Sequence, residues 1–467
     1  MCICCLFCFP LSAAPKNEAP NKIVVKQEDQ KKEPPADKSE SKAEEENQSE
    51  NTKDFLEIHE VKTQLPHPIW FIPSRRQFVS LSIVFKNAGV KNVMQKHPAL
   101  ERFLSILYKC CGKFDAHQLE RKLRSNNTSL YIISSDSLDH SGVNIWSPLD
   151  SYEEALDLAA LMFLSPRLPK KEFEDLRKEA LTQFKETSHR LNTHIREAVN
   201  AAYYPEYHPY RRSLSKEEAD LASMTPEAVK EFLRFLSQEN ALVLVYGPRE
   251  KEAEIVANVE KMLLKFPAKG QSVLSSCEPA LAPSEDITLC ADVPQTFFCG
   301  RQPGFDYSDP HYFAKLLALA IVASAQNSIL FREIREKLGL AYYCAGENVI
   351  RAHDSYIEIS VVTKNETARL VRDKIREILE KVVQEGVSQE DFETVKQEVL
   401  GSLVVALDSS GDLLGLCTRE RVRGRKIPEI KNWLKALKNV TRDEVNSACK
   451  ELFAAKQLKF VSMGGNK

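Results

Sequence analysis

The sequence lacks an excess of charge of either sign, and it lacks long apolar runs. Its formal net charge is −2 over 467 residues, whereas a nucleic-acid-binding surface normally carries a strong basic excess. No apolar stretch approaches the roughly 18 residues that are typical of a membrane-spanning helix. The sequence therefore predicts neither a nucleic-acid partner nor a membrane span.

The twelve cysteines form no pattern that is typical of a zinc site. Four of them lie within the first eight residues, and no second ligand pair follows their C-x-x-C spacing. The other eight are scattered over the rest of the chain: Cys110, Cys111, Cys277, Cys290, Cys299, Cys344, Cys417 and Cys449. One or two disulfides would be compatible with an exported protein, but the sequence indicates no particular pairing.

The first 54 residues differ in composition from the rest. Residues 1–14, "MCICCLFCFPLSAA", are uncharged and end in small residues, as the apolar core and cleavage region of a secretory signal peptide do. We therefore expect export to the periplasm. If translation starts further downstream, or if this segment has no targeting function, the protein is cytoplasmic. Residues 15–54 contain almost no apolar side chains, so we expect a disordered, charged tether.

The remaining chain repeats itself. "LPKKEFEDLRKEALTQF" begins at Leu168, and "VSQEDFETVKQEVLGSL" begins 219 residues later at Val387. A second pair of similar segments begins at Thr225 and, 216 residues later, at Thr441; each predicts a capped helix followed by a strand that ends in glycine. Two pairs at nearly the same offset indicate a duplication. We predict two domains, residues 55–270 and 271–467.

Each half combines strands with long helices. "FVSLSIVF", residues 78–85, alternates polar and apolar side chains and predicts a half-buried strand. Helical patterns cover residues 152–163 and 170–202. Paired strands followed by runs of helices indicate an α+β fold, here a tandem duplication of a mainly antiparallel sheet packed with helices.

One stretch, "FREIREKLGLAYYCAG", sets a cation and a phenol on either side of a tight turn. Arg335 belongs to a helical pattern, Tyr342 opens a β-prone run, and Gly339 between them permits a sharp reversal. A guanidinium and a phenolic hydroxyl are both donors suited to developing negative charge. The alternative is that Arg335 is an ordinary cation at a helix C-terminus and Tyr342 is a core aromatic.

These segments resemble the pitrilysin/insulinase family of zinc metallopeptidases, the inverzincins. The resemblance covers residues 55–465 and is carried by "VSLSIVFKNAG", "GKFDAHQLERKL", "DSYEEALDLAALMFLSPRLPKKEFE", "HPYRRSLSKEE", "VPQTFFCGRQPG" and above all "LFREIREKLGLAYY". The family fold is a tandem repeat of α+β domains. Active members bind zinc through H-x-x-E-H on a helix and a more distant glutamate.

The chain contains no H-x-x-E-H. Alignment on "GKFDA" places Glu101 and Ser105 at the two histidine positions and Leu104 at the position of the general base. Thr182 or Gln183 takes the place of the distant glutamate. Because these residues do not form the family's ligand set and leave no carboxylate at the position of the base, the resemblance implies no metal in this chain and no peptidase activity of the chain alone.

In the family, an arginine and a tyrosine spaced as Arg335 and Tyr342 bind the substrate backbone and stabilise the oxyanion. Some members are two-chain enzymes that divide the zinc motif and this pair between their chains. The resemblance thus implies a non-catalytic subunit that closes a peptide-degradation chamber. Its partner is a homologous H-x-x-E-H subunit that holds the zinc, and Arg335 and Tyr342 are catalytic and substrate-binding groups in that partner's site.

Two other functions are compatible with the sequence. The chain could be a non-enzymatic binding or scaffold protein of the same fold, in which Arg335 and Tyr342 are relics. It could also be an enzyme that uses a different site in the same cavity.

Deletion of residues 1–53 should leave a folded protein, because the deleted segment cannot contribute a core. Limited proteolysis of the full chain should trim this segment and leave a resistant body with the melting temperature of the truncated protein. A deletion that extends through residue 85, and so removes a predicted core strand, is the matched control and should not fold. Aggregation of the shorter deletion would contradict the tether.

Overall fold

The computed structural model describes most of the chain: residues 57–89, 97–100, 104, 111–133, 139–166, 169–206, 208–271, 283–351, 354–454 and 458–465. The predicted leader, residues 1–14, and the predicted tether, residues 15–54, lie outside the described residues. The boundary between residues 270 and 271 stays a prediction, since residues 272–282 beside it are also outside this part.

The first half forms a six-stranded sheet. Its strands are β1 (His59–Val61), β2 (Ile69–Ser74), β3 (Phe78–Phe85), β4 (Ser129–Ile133), β5 (Ser141–Pro148) and β6 (Ala241–Pro248). They lie in the order β1-β2-β6-β3-β5-β4, and only the β2–β6 pair is parallel. The strand predicted at residues 78–85 is confirmed, but nearly all of its side chains are buried, because both faces of the sheet are covered there.

The helices of the first half, except the one at Leu191–Tyr203, cover one face of this sheet. They are α1 (Ala116–Ser125), α2 (Tyr152–Leu164), α3 (Lys170–Ser188), α4 (Leu191–Tyr203), α5 (Leu214–Ser223), α6 (Pro226–Leu233) and α7 (Glu252–Leu263). Leu81 and Ile83 of β3 point into this helical layer and pack with Leu156 of α2 and Val259 of α7 in one core cluster. Period-two patterning in the strands and apolar helix faces together explain this core.

The second half forms a five-stranded sheet. Its strands are β7 (Ile287–Cys290), β8 (Gln295–Pro303), β9 (Ala341–Ile350), β10 (Ser355–Lys364) and β11 (Lys459–Gly464), in the order β7-β11-β8-β10-β9. Its helices are α8 (Tyr312–Leu319), α9 (Ala368–Glu385), α10 (Gln389–Asp408), α11 (Ser410–Val422), α12 (Ile427–Lys431), α13 (Trp433–Asn439) and α14 (Arg442–Leu452). Two π-helical segments, Ala320–Ser324 and Phe331–Lys337, lie between α8 and β9.

The two sheets have the same topology. Apart from the added edge strand β1, the order β2-β6-β3-β5-β4 of the first sheet corresponds strand for strand to β7-β11-β8-β10-β9. The single parallel pair also corresponds, because β2–β6 and β7–β11 are the parallel pairs of their sheets. The predicted fold class, a tandem duplication of a mainly antiparallel sheet packed with helices, is confirmed.

The single helix predicted over residues 170–202 is wrong. The chain breaks after Ser188, and α4 begins at Leu191. The second half breaks at the corresponding place, where α10 and α11 meet at Ser409 with a bend of 105°. Each break turns the chain away from its own half, because the helix that follows packs against the sheet of the other half.

Among the described helices none alone is long and apolar enough to span a membrane, although α10 and α11 taken together would be.

Helix α4 of the first half packs on the second sheet. Its apolar residues Ile195 and Val199 contact Val461 of β11 and Cys299 of β8 in a small buried cluster. At the end of α4, the Tyr203 hydroxyl lies 3.0 Å from the carbonyl oxygen of Arg301 and 2.7 Å from that of Lys459. It also accepts a hydrogen bond of 3.0 Å from the backbone N–H of Arg301. This hydroxyl ties α4 to two strands of the other half.

Helix α11 of the second half packs in the same manner on the first sheet. Leu416 and Cys417 share a buried cluster with Leu244 of β6 and Trp70 of β2. The Arg421 guanidinium donates to the backbone carbonyls of Val243 and Pro68, and it lies 4.8 Å from the Trp70 ring. The two halves thus exchange helices, and each exchanged helix ends in a polar side chain that satisfies strand backbone groups of the other half.

A buried ion pair lies beneath α4. The Arg301 Nε donates to Glu358 Oε2 at 2.7 Å, and its Nη1 donates to Asn200 of α4 at 3.1 Å. Burial alone would raise the pKa of the Glu358 carboxyl, but the Arg301 guanidinium holds that pKa below its ordinary value. The pair is therefore charged at neutral pH, and its hydrogen bond to α4 couples it to the first half.

Substitution Tyr203→Phe should lower the free energy of unfolding by about 1–3 kcal/mol, because it leaves buried backbone groups without their partner. Urea denaturation followed by tryptophan fluorescence measures this. The matched control is Tyr131→Phe, whose side chain is 65% exposed and whose loss should change stability by no more than about 0.5 kcal/mol. Equal stability of both variants would contradict a structural role for the Tyr203 hydroxyl.

Candidate functional site

Of the residues aligned with the zinc-binding helix, the structure describes Leu104. Glu101 and Ser105, at the two histidine positions, lie outside the described residues. Leu104, at the position of the general base, is fully buried in the first core with Ala99 and Leu100. A carboxylate is therefore replaced by a side chain that packs the core, and this side chain can neither hold nor transfer a proton.

The position of the distant glutamate is also unsuited to a metal. Thr182 and Gln183 lie on α3 and are exposed, and Gln183 Nε2 donates to Glu179 of the previous turn at 3.0 Å. His97 lies 3.2 Å from the Asp220 carboxylate, which also accepts the backbone N–H of Ala99 at 2.9 Å. Within the described ranges, no three His, Cys, Asp or Glu side chains come together as a metal would need.

Arg335 lies on a π-helix, Phe331–Lys337, which is a rare conformation that is frequent at functional sites. The backbone N–H of Leu338 donates to the carbonyl of Glu333, five residues earlier. Ile334 is fully buried and anchors the segment in the second core. The wider helical turn therefore sets which side chains of this short segment face solvent, and Arg335 is one of them.

Gly339 forms the reversal between this helix and β9. Its φ is +60°, in the left-handed region that favours glycine, and an added Cβ would meet no atom within 4 Å. The Thr363 hydroxyl of β10 donates to the carbonyl of Leu340 and fixes the exit of the turn. The predicted role of Gly339 as the site of reversal is therefore confirmed by its backbone conformation.

Tyr342 is the extra residue of a β-bulge. On β10, Val362 pairs with Tyr343 and the next residue, Thr363, pairs with Ala341, so that Tyr342 has no partner in the ladder. Its side chain is 52% exposed. Bulges re-aim side chains and are frequent beside active sites. The alternative interpretation of Tyr342 as a core aromatic is wrong.

Arg335 and Tyr342 have no polar partner, whereas the other two cations of the π-helix are paired. Arg332 pairs with Asp391 at 2.5 Å, and Lys337 pairs with Glu333 at 2.7 Å. Arg335 is exposed, and its guanidinium lies 4.9 Å from the Phe331 ring. Throughout the described part of the chain, neither the Arg335 guanidinium nor the Tyr342 hydroxyl has a hydrogen-bond or ion-pair partner.

This arrangement suits the recognition of an oxygen acceptor from outside the chain. The π-helix packs against the first residues of β9, so the two donors lie on adjacent elements on either side of Gly339. A guanidinium offers a planar fork of donors and a phenol offers one. Such groups can bind a carbonyl oxygen and stabilise the negative charge that develops on it.

Sequence reasoning missed both the bulge and the π-helix. One signal was present, because the period-two pattern of β9 breaks at its start. Ala341 and Cys344, which are three residues apart, are both buried, whereas residues on one face of a regular strand are two or four apart. The apolar pattern of "FREIREK", in contrast, does not distinguish an α-helix from a π-helix.

Comparison with known proteins identifies relatives of this fold. The family model described as "Peptidase M16 inactive domain" matches residues 223–399, which include Arg335 and Tyr342. The zinc protease YmxG of Bacillus subtilis is 21% identical over 320 residues, which span 67% of this chain and 76% of YmxG. A zinc protease of Mycobacterium tuberculosis is 25% identical over 154 residues, which span 33% of this chain and 35% of that protein.

Solved structures share the whole architecture. A structure described as the peptidase M16 inactive domain from Pseudomonas fluorescens superposes with a TM-score of 0.78 at 17% identity, over 88% of this chain and 98% of that chain. A protease from Helicobacter pylori superposes with a TM-score of 0.75 at 16% identity, over 87% and 99%. At such identities these two structures show the common fold.

The purified chain should hold well below one zinc ion per molecule, because the aligned ligand positions do not offer a ligand set. Elemental analysis of tag-free protein, after incubation with zinc and gel filtration, measures this. An H-x-x-E-H relative treated in the same way is the control and should retain one zinc. One tightly bound zinc in this chain would overturn the alignment of Glu101, Ser105 and Thr182 or Gln183.

Proposed function

Because the chain belongs to the M16 peptidase family and lacks its zinc-binding motif, we propose that it is the non-catalytic subunit of a two-chain zinc metallopeptidase. Its partner is a homologous subunit that carries H-x-x-E-H. Together the two close a chamber in which peptides are cleaved. In that complex Arg335 and Tyr342 bind the substrate and stabilise the oxyanion in the partner's site.

The observation that carries this proposal is the unpaired state of two donors beside the Gly339 turn, where the other two cations of the π-helix are paired. If Arg335 had a structural role, we would expect its guanidinium to pair with a carboxylate, as that of Arg332 does. If Tyr342 had one, we would expect its hydroxyl to be buried and bonded to backbone groups, as that of Tyr203 is. The bulge keeps Tyr342 out of the sheet instead. Both groups are therefore available to an acceptor that belongs to another molecule.

In the complex, zinc held by the partner would supply the activated water, and this chain would supply donors. The Arg335 fork would grip a peptide carbonyl near the scissile bond in the ground state. The Tyr342 hydroxyl would donate to the scissile carbonyl oxygen as it becomes an oxyanion. Both positions are set before substrate arrives, by the buried Ile334 and by the Gly339 turn, so little reorganisation is needed during the reaction.

The proposed substrates are peptides and short unfolded segments. A closed chamber excludes folded proteins, and the two donors recognise backbone oxygen rather than a particular side chain. The proposed location is the periplasm, on the basis of the leader-like composition of residues 1–14. A charged tether at residues 15–54 would then separate the globular part from the cleavage site of the leader.

Substitution Tyr342→Phe should leave stability unchanged and lower the kcat of the reconstituted pair by about 10²–10³-fold, which is the effect of removing one oxyanion donor. Arg335→Ala should lower kcat and also raise KM, because the guanidinium binds the substrate before reaction. If the two side chains act as one clamp, the double variant should lose less transition-state stabilisation than the sum of the losses in the two single variants. Peptide hydrolysis and thermal melting measure these quantities.

The matched control for Arg335→Ala is Arg332→Ala. Arg332 lies on the same π-helix but pairs with Asp391, so its loss should lower the melting temperature and leave kcat unchanged. Full turnover by Tyr342→Phe, with a normal melt, would remove the hydroxyl from the mechanism. A folded complex with an H-x-x-E-H chain that cleaves no peptide would favour the scaffold function instead.

A further inference from the structure

A groove with an apolar floor and an acidic rim opens between three helices of the first half, α1, α2 and α7. Its volume is about 730 Å³, within the roughly 300–1,000 Å³ that is usual for ligand pockets. The half-buried side chains of Phe114, Leu149 and Leu161 form the floor. The rim carries five carboxylates: Asp150, Glu153, Glu154, Asp157 and Glu254. We call this cavity the acidic groove.

The acidic groove has two carboxylates more than it has cations. Three of the five carboxylates pair with lysines: Glu154 with Lys122, Glu254 with Lys251 and Asp157 with Lys265. Among the described residues, neither Asp150 nor Glu153 has a cationic partner; Glu153 accepts a hydrogen bond of 3.1 Å from the uncharged amide of Asn258. The groove is therefore complementary to an apolar group that is flanked by two cations.

The described chain begins beside the acidic groove. Glu57 pairs with Arg249, and the His59 Nε2 lies 2.8 Å from the Glu252 Oε1. Both partners belong to the start of α7, where Glu254 of the same turn lines the groove. The segment that precedes Glu57 therefore enters the structure within about one helical turn of this cavity.

That preceding segment contains a short sequence of matching chemistry. Residues 22–26, "KIVVK", hold the one run of consecutive apolar side chains within residues 15–54, and a lysine flanks this run on each side. The 30 residues between Lys26 and Glu57 can span up to about 100 Å when extended. The chain is thus long enough for these five residues, which we call the lysine-flanked segment, to reach the groove.

We propose that the lysine-flanked segment docks in the acidic groove of its own chain. Ile23, Val24 and Val25 cover the apolar floor, and Lys22 and Lys26 pair with Asp150 and Glu153. A segment that is attached by a short linker has an effective concentration of the order of millimolar, which favours it over a separate peptide of the same sequence. The contact is a reversible surface contact, so deletion of residues 1–53 still leaves a folded protein.

Carbodiimide cross-linking of the purified full chain tests this docking, because the reagent joins a lysine amine to a carboxylate that touches it. Mass spectrometry should find Lys22 or Lys26 linked to Asp150 or Glu153. Lys31 and Lys32 are the internal control, since they lie nearer to Glu57 along the chain but flank no apolar run. They should form these links at a far lower yield. Equal yields from both lysine pairs, or no link from Lys22 and Lys26, would overturn the proposal.

Two variants keep a cross-linkable pair and weaken the docking itself. Simultaneous Ile23→Ser, Val24→Ser and Val25→Ser should lower the yield at least about tenfold, since the apolar burial is lost. Asp150→Lys should lower the yield of links to Glu153 about fivefold, because it replaces one attractive charge by a repulsive one. Undiminished links in the triple serine variant would overturn the docking on the apolar floor.

Glu390→Lys is the matched control for Asp150→Lys. Glu390 is also exposed but lies at the start of α10 in the second half, so this variant should cross-link as the unaltered chain does. Equal losses in both variants would show that overall charge, and not the acidic groove, controls the yield, and would contradict the proposal.

An equal mixture of ¹⁵N-labelled and unlabelled chains identifies the occupant. The proposal predicts cross-linked peptides whose two parts carry the same isotope, at a yield that does not depend on protein concentration. Mixed-isotope links would assign the groove to a second copy of the chain and overturn the docking within one chain. None of these measurements requires the H-x-x-E-H partner or Arg335 and Tyr342, so the outcome is independent of the proposed function.

Discussion

The exchange of α4 and α11 between the two halves is the contact on which the rest of the structure depends. Each helix covers a sheet face that would otherwise expose apolar side chains, and each satisfies strand backbone groups through one polar residue, Tyr203 or Arg421. Because the exchange is reciprocal, neither half can move without uncovering the sheet of the other. The Arg335 turn on the second half and the acidic groove on the first are held in a fixed relation by these two helices.

The sequence was sufficient for the fold class, because duplication and patterning are properties of many residues at once. The repeated segments at Leu168 and Val387 predicted two equivalent halves, and the two sheets have the same strand order. The helix break after Ser188 could not be predicted, since it depends on contacts with the other half and carries no proline or glycine signal. The break at Ser409 does carry a local signal, because Ser409 caps the following helix and Gly411 lies two residues later.

The candidate site was predictable in its residue types and not in its geometry. The positions of Arg335 and Tyr342 came from a motif, and the Gly339 turn followed from the one residue that favours a positive φ. The bulge that exposes Tyr342 is a difference of one residue in strand register, which the broken period-two pattern at Ala341 and Cys344 indicates but does not locate. The acidic groove was missed because its three helices are far apart in sequence and meet only in the folded first half.

The central proposal is that this chain provides two unpaired hydrogen-bond donors, Arg335 and Tyr342, to a zinc site in another chain. The most direct test is peptide hydrolysis by an H-x-x-E-H homologue from the same organism, measured alone and after stepwise addition of this chain. The account predicts little turnover by the homologue alone and a rise that saturates at an equimolar ratio. Full activity of the homologue alone, unchanged by the addition of this chain, would contradict the account.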